Sequence, residues 1–216
     1  RTLQGSGEIK KTEFPQVQKW LQEKSVDKKN EEISEADLKT IAFLANKLKE
    51  VSNMNSFDTQ LVAVLRAVAS YKDSKIKGKI LEMATGEGKS SVVVPLILGY
   101  LVAKKKGPIH IHEVTPYLAQ RDYEQFLPLA EKLGITEELG LIKSPQDENL
   151  KKRVVFGHWS NFVHAYQQRF LKEKESYYPQ EESVLVLDEI DQLLQDESLT
   201  PAIITSTTTV SYTHLR

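Results

Sequence analysis

Two glycines in Thr85-Gly86-Glu87-Gly88-Lys89-Ser90 constrain this chain more than any other stretch. They stand where a short run ending in Leu81-Glu82-Met83-Ala84 gives way to an apolar helical pattern that begins at Ser90. A strand that ends in a glycine turn and opens a helix aims several backbone N–H groups at one point, where the helix dipole also favours an anion. In that geometry the amides of Thr85, Gly86, Glu87 and Gly88 surround a polyphosphate. Lys89 reaches its outer charges, and the Ser90 hydroxyl holds a magnesium ion. Met83 stands where the strict pattern has its first glycine. The expected ligand is ATP with Mg2+.

A second segment supplies what such a loop lacks. Ser183-Val184-Leu185-Val186-Leu187 is continuously apolar, as expected of a central parallel strand buried on both faces, and it ends in Asp188-Glu189-Ile190-Asp191. Ligands of open α/β sheets sit at the carboxyl ends of strands. If both strands share a sheet, Asp188 faces the magnesium held by Ser90, and Glu189 orients or deprotonates the attacking water. An acidic pair after an apolar run also has a plain reading, a strand cap. The two segments together, in this order, suffice for one half of an ATPase site. Gln60, at the start of a helix upstream of the loop, reads most simply as a surface glutamine. Its amide carries both a donor and an acceptor, so it is also suited to the edge of adenine.

The rest of the pattern places these residues in an α/β fold, a parallel sheet flanked by helices with a helical lead-in. A short amphipathic pattern from Phe14 to Leu21 and a charged run from Glu23 to Glu32 precede a capped helix from Ser34 to about Val51. A second helix runs from Phe57 to near Tyr71. Lys79–Met83 is the expected first strand, Ser90–Lys104 its helix with a kink or a missing hydrogen bond at Pro95, and Ile109–Val114 the second strand. Thr115-Pro116 caps a helix that ends at Gly134. Arg153–Phe156 is a third strand and Trp159–Leu171 a further helix, with charged loops at 143–152 and 172–182. His110 and His112 share a strand face, yet two histidines fall short of the three or four ligands that zinc takes.

With 216 residues and 40% hydrophobic content, one core plus an appendage is expected. Twenty-nine basic and thirty acidic residues leave a formal charge of −1, so no global field draws the chain to nucleic acid or an anionic membrane. The absence of cysteine removes disulfide and thiolate chemistry and fits a reducing compartment. The chain opens on Arg1 without an initiator methionine or secretory run and reads as part of something longer. Residues 1–55 are expected to form the lead-in and 56–209 the nucleotide-binding domain. Residues 210–216 resemble the translation of a transposon-end adapter and are expected to be non-native.

Met83–Ser90, Tyr117-Leu118-Ala119-Gln120-Arg121-Asp122, and Asp188-Glu189-Ile190-Asp191-Gln192 followed by Asp196-Glu197 and Thr200-Pro201-Ala202-Ile203-Ile204 resemble successive motifs of SecA, the protein-translocation ATPase. Phe57-Asp58-Thr59-Gln60 is similar to the segment of that family whose glutamine contacts adenine. The resemblance covers about residues 57–205. It implies a P-loop NTPase fold, specifically the first RecA-like motor domain of the helicase superfamily. It also implies a cytoplasmic location, peripheral to a membrane, with unfolded polypeptide and a protein-conducting channel as partners. Catalytic roles fall to Lys89, Asp188 and Glu189, nucleotide contacts to Gln60 and residues 85–90, and magnesium to Ser90 and Asp188. Ser90 replaces the family's threonine and keeps the hydroxyl, whereas Thr115-Pro116 replaces its Asn-Asp and Leu199 its arginine. The family's second motor domain, which supplies the completing arginines, lies outside this sequence. A DEAD-type nucleic-acid helicase fragment and a degenerate, nucleotide-gated interaction module are the competing readings. Near-zero net charge weighs against the first, and the intact Lys89, Asp188 and Glu189 weigh against the second.

Overall fold

The computed structural model describes residues 33–72, 78–104, 107–173 and 183–195. The early lead-in, the lysine-rich turn at 73–77, most of the loop at 172–182 and everything after residue 195, including the tail, lie outside the described residues.

Helix α1 (Glu35–Ser52) starts where its sequence says it must. The Ser34 hydroxyl accepts the Asp37 N–H at 3.2 Å, and the Asp37 carboxylate accepts the Ser34 N–H at 3.1 Å. Such a reciprocal cap contributes about 1 kcal/mol. The same buried carboxylate accepts the Tyr100 hydroxyl at 2.9 Å and pairs with Lys104 at 3.3 Å, which ties α1 to α3 (Val94–Lys104). Helix α2 (Asp58–Lys72) buries Leu61, Val64, Leu65 and Val68 in the same core.

The described sheet has four parallel strands, β1 (Ile109–Glu113), β2 (Leu139–Ile142), β3 (Val154–His158) and β4 (Val184–Leu187), in the order β2-β3-β1-β4. Alternation divides its faces. Ile109, Ile111, Leu139, Val154 and Phe156 join the apolar faces of α1, α2, α3 and α4 (Pro116–Leu133). Ile142 and Val155 turn the other way, against Phe162 and Ala165 of α5 (Trp159–Glu173). His110 and His112 lie on that second face. His112 stacks on Phe162 with ring centroids 4.0 Å apart, and His110 Nδ1 meets the Tyr166 hydroxyl at 2.7 Å. Burial pushes their pKa values down to about 4 and about 3, with the charge of His110 adding to the shift at His112. They are core side chains held neutral.

Three expectations need correction. Lys79–Met83 is irregular backbone and pairs with no strand among the described residues; Ile80 is 70% exposed, and Met83 rests against the core. A strand exists only through a ladder, and β4 has one described neighbour, β1. Consequently β4 is an edge of the described sheet and not a central strand, with Leu185 52% exposed. The helix after the glycine turn opens as a π-helical turn, Lys89–Val93, before α3. There the Val93 N–H reaches back five residues to the Gly88 carbonyl at 3.3 Å. Pro95 follows at once, and because helical backbone runs unbroken from Lys89 its missing N–H leaves the preceding turn one hydrogen bond short, as expected. Strand β2 was not expected.

Candidate nucleotide site

Parallel register decides what meets at the carboxyl edge of the sheet. His112 lies opposite Leu187, so the residues that follow, Glu113 and Asp188, emerge side by side. The Asp188 N–H donates to the His112 carbonyl at 3.2 Å and fixes that exit. Glu189 then takes a left-handed conformation, φ 49°, unusual for a residue with a Cβ, before α6 (Ile190–Gln195) begins. Its N–H donates to the Asp188 carboxylate at 2.9 Å. That turn leaves the Glu189 side chain half exposed, at the mouth of the site.

The glycine loop arrives from the other side. Gly86 and Gly88 have φ of 86° and 75°, values that glycine adopts without cost. Gly88 is doubly required, because a Cβ there would lie 2.5 Å from the Gln60 amide nitrogen. That amide donates to the Glu87 carbonyl at 2.8 Å, and its oxygen accepts the Phe57 N–H at 2.9 Å. Gln60 is 4% exposed, so the surface reading is wrong: it braces the loop from beneath. Thr85 and Glu87 stand exposed on the outer side of the turn.

The two segments meet across about a hundred residues of sequence. Lys89 Nζ lies 2.8 Å from Asp188 Oδ1 and 3.3 Å from Glu189 Oε1. Partial burial pushes the lysine pKa down, but the hydrogen bond and charge of Asp188, with Glu189 behind, outweigh it and hold the ammonium protonated. The Ser90 hydroxyl faces Asp188 Oδ2 at 3.5 Å. Adjacent oxygens around a magnesium ion are roughly 3 Å apart, from bonds of about 2.1 Å, so this pair fits that ion with little movement.

The structure brings three more residues to this place: Glu113, which the sequence did not single out, and Arg121 and Asp122, which stand in the stretch Tyr117–Asp122 but were given no role there. Arg121, in the second turn of α4, donates to the Ser90 hydroxyl at 3.2 Å and to the Asp122 carboxylate at 2.6 Å. Asp122 and Glu113 are buried beside Asp188. Burial, then the charges of Asp122 and Asp188, pushes the Glu113 pKa up to about 9. A carboxylate ending a buried strand at the ligand edge of a parallel sheet was the available signal for Glu113.

Comparison with known proteins gives the family. A family model for the SecA DEAD-like domain matches residues 5–215. A protein translocase subunit SecA 2 of Clostridioides difficile is 34% identical over 183 residues, covering 76% of this chain and 23% of that protein. The protein translocase subunit SecA of Campylobacter lari is 31% identical over 200 residues, covering 88% and 22%, and that of Ectopseudomonas mendocina 33% over 162 residues, covering 72% and 16%. The chain thus spans less than a quarter of the length of these relatives. The four-stranded parallel sheet flanked by helices is consistent with that match, and the chain belongs to the SecA DEAD-like domain family.

Proposed function

We propose that this chain binds ATP with magnesium between the loop at 85–90 and the acidic turn at 188–189, as the first motor half of a SecA-like ATPase that moves polypeptide. The observation that carries the reading is the convergence of Lys89 and Ser90 on Asp188 and Glu189 from opposite ends of the domain.

Each residue then has a task. The amides of Thr85, Gly86, Glu87 and Gly88 cradle the phosphates, and Lys89 neutralises the outermost. Ser90 and Asp188 hold magnesium, which when bound supplies charge neutralisation on the β- and γ-phosphates. Glu189 positions the attacking water and accepts its proton. Gln60 reads the adenine edge by exchanging one of its two present hydrogen bonds. The parent protein, cytoplasmic and peripheral to a membrane, takes unfolded polypeptide and a protein-conducting channel as partners, and direct contact with nucleic acid is not favoured. Turnover by this chain alone is slow, because the arginines that complete such sites come from elsewhere.

Titration with a fluorescent ATP analogue and Mg2+ tests the reading. Saturable binding by the wild type, lost in Lys89→Ala, is expected; equal binding by both removes the proposal. In the full-length parent, ATPase stimulation by unfolded polypeptide is expected, and stimulation by RNA alone points instead to a helicase.

A further inference from the structure

We propose that Glu113, Asp122 and Asp188 form a binding site for a divalent cation with oxygen ligands, one that fills without nucleotide. The three carboxylates come from separate elements, the end of β1, the second turn of α4 and the residue after β4. One oxygen from each lies within 4.8 Å of the others. Opposite ligands of a calcium-sized ion, at 2.3–2.6 Å each, stand roughly 5 Å apart, and those of magnesium roughly 4 Å, so the spacing suits this class of ion.

Burial and pairing supply an independent reason. Glu113 is 0% exposed, Asp122 3% and Asp188 6%. Both Glu113 carboxyl oxygens and Asp122 Oδ2 find no hydrogen-bond partner among the described residues, and at least one oxygen of the buried Glu113 carboxyl faces the other two carboxylates. Buried carboxylates are otherwise paired or bound to metal. Neither histidine nor cysteine contributes, so a hard cation is favoured over zinc or copper. The magnesium of the nucleotide would use Ser90 and Asp188; this site shares Asp188 with it and adds Glu113 and Asp122.

Mn2+ is the probe, titrated into the nucleotide-free chain while free Mn2+ is followed by electron paramagnetic resonance. One Mn2+ per chain, displaced by Mg2+ or Ca2+, is expected for the wild type, with affinity at least tenfold weaker in Glu113→Gln and in Asp122→Asn. The wild-type titration stands even where a variant fails to fold. Absence of saturable Mn2+ binding by the wild type, or unchanged affinity in a folded Glu113→Gln, overturns the proposal and assigns the cluster to a shared proton. No nucleotide is present in this assay, so its failure leaves the ATP reading standing, and failure of nucleotide binding leaves the Mn2+ result standing.

Discussion

Gln60 shows how one side chain couples the lead-in to the chemistry. It hydrogen-bonds Phe57 N–H on its own helix start and the Glu87 carbonyl 27 residues on. Gln60→Ala leaves both groups without that partner, and a net loss of about 1 kcal/mol is expected in urea unfolding. Amides 85–88 should also exchange hydrogen faster than in the wild type; unchanged exchange would show that the brace is dispensable. Glu189 presents the opposite trade. Its left-handed backbone is strained for a residue with a Cβ, by roughly 1–2 kcal/mol. Glu189→Gly relieves that strain at some entropic cost, so stability should stay within about 1 kcal/mol of the wild type or rise, while turnover in the parent is abolished. A large drop in melting temperature would show that the turn depends on the side chain.

At the scale of elements, what was legible followed from local chemistry. Ser34 with Asp37, and Thr115 with Pro116, state helix starts through groups that cap their own backbone. Strand β1 was readable from its alternation, β3 and β4 from their apolar runs. Strand β2 was not, since Leu139-Gly140-Leu141-Ile142 is four residues with a glycine inside, too short for periodicity to speak. Lys79–Met83 was read as a strand because the turn after it seemed to require one, yet a ladder partner is a property of the sheet and not of the segment. The meeting of Lys89 and Ser90 with Asp188 and Glu189 could be expected from their residue types and order, whereas Glu113 reaches the same place through strand register and Asp122 through the packing of α4, neither of which is written in the local sequence. Edge position makes a prediction: Leu185→Lys should change the stability of this chain by no more than about 0.5 kcal/mol. A loss of several kcal/mol would mean that Leu185 is covered. The histidines on the other face make a second. Both have pKa values well below the ordinary 6.5, so their contribution is fully present above pH 6.5 and is lost as pH falls toward 4. Urea unfolding should show stability falling by on the order of 2 kcal/mol between pH 6.5 and 4.5 on account of His112, and His112→Leu should flatten that slope. An unchanged slope would place the acid sensitivity elsewhere.

Across the whole molecule, α1 to α4 form one core with the sheet, and the sheet's carboxyl edge carries every residue assigned to ATP except those of the loop and Gln60. Among the described residues no helix is long and apolar enough to cross a membrane. Under the proposed function the chain holds nucleotide with half a site of its own. The most direct check is the gain in nucleotide affinity when Mg2+ is added, measured in the wild type and in Ser90→Ala. The wild type should bind at least about tenfold tighter with Mg2+, a difference of about 1.4 kcal/mol, and Ser90→Ala should lose most of that gain. An equal gain in both proteins, or none in the wild type, would contradict the assignment of Gly86–Ser90 and Asp188 to one magnesium–nucleotide site.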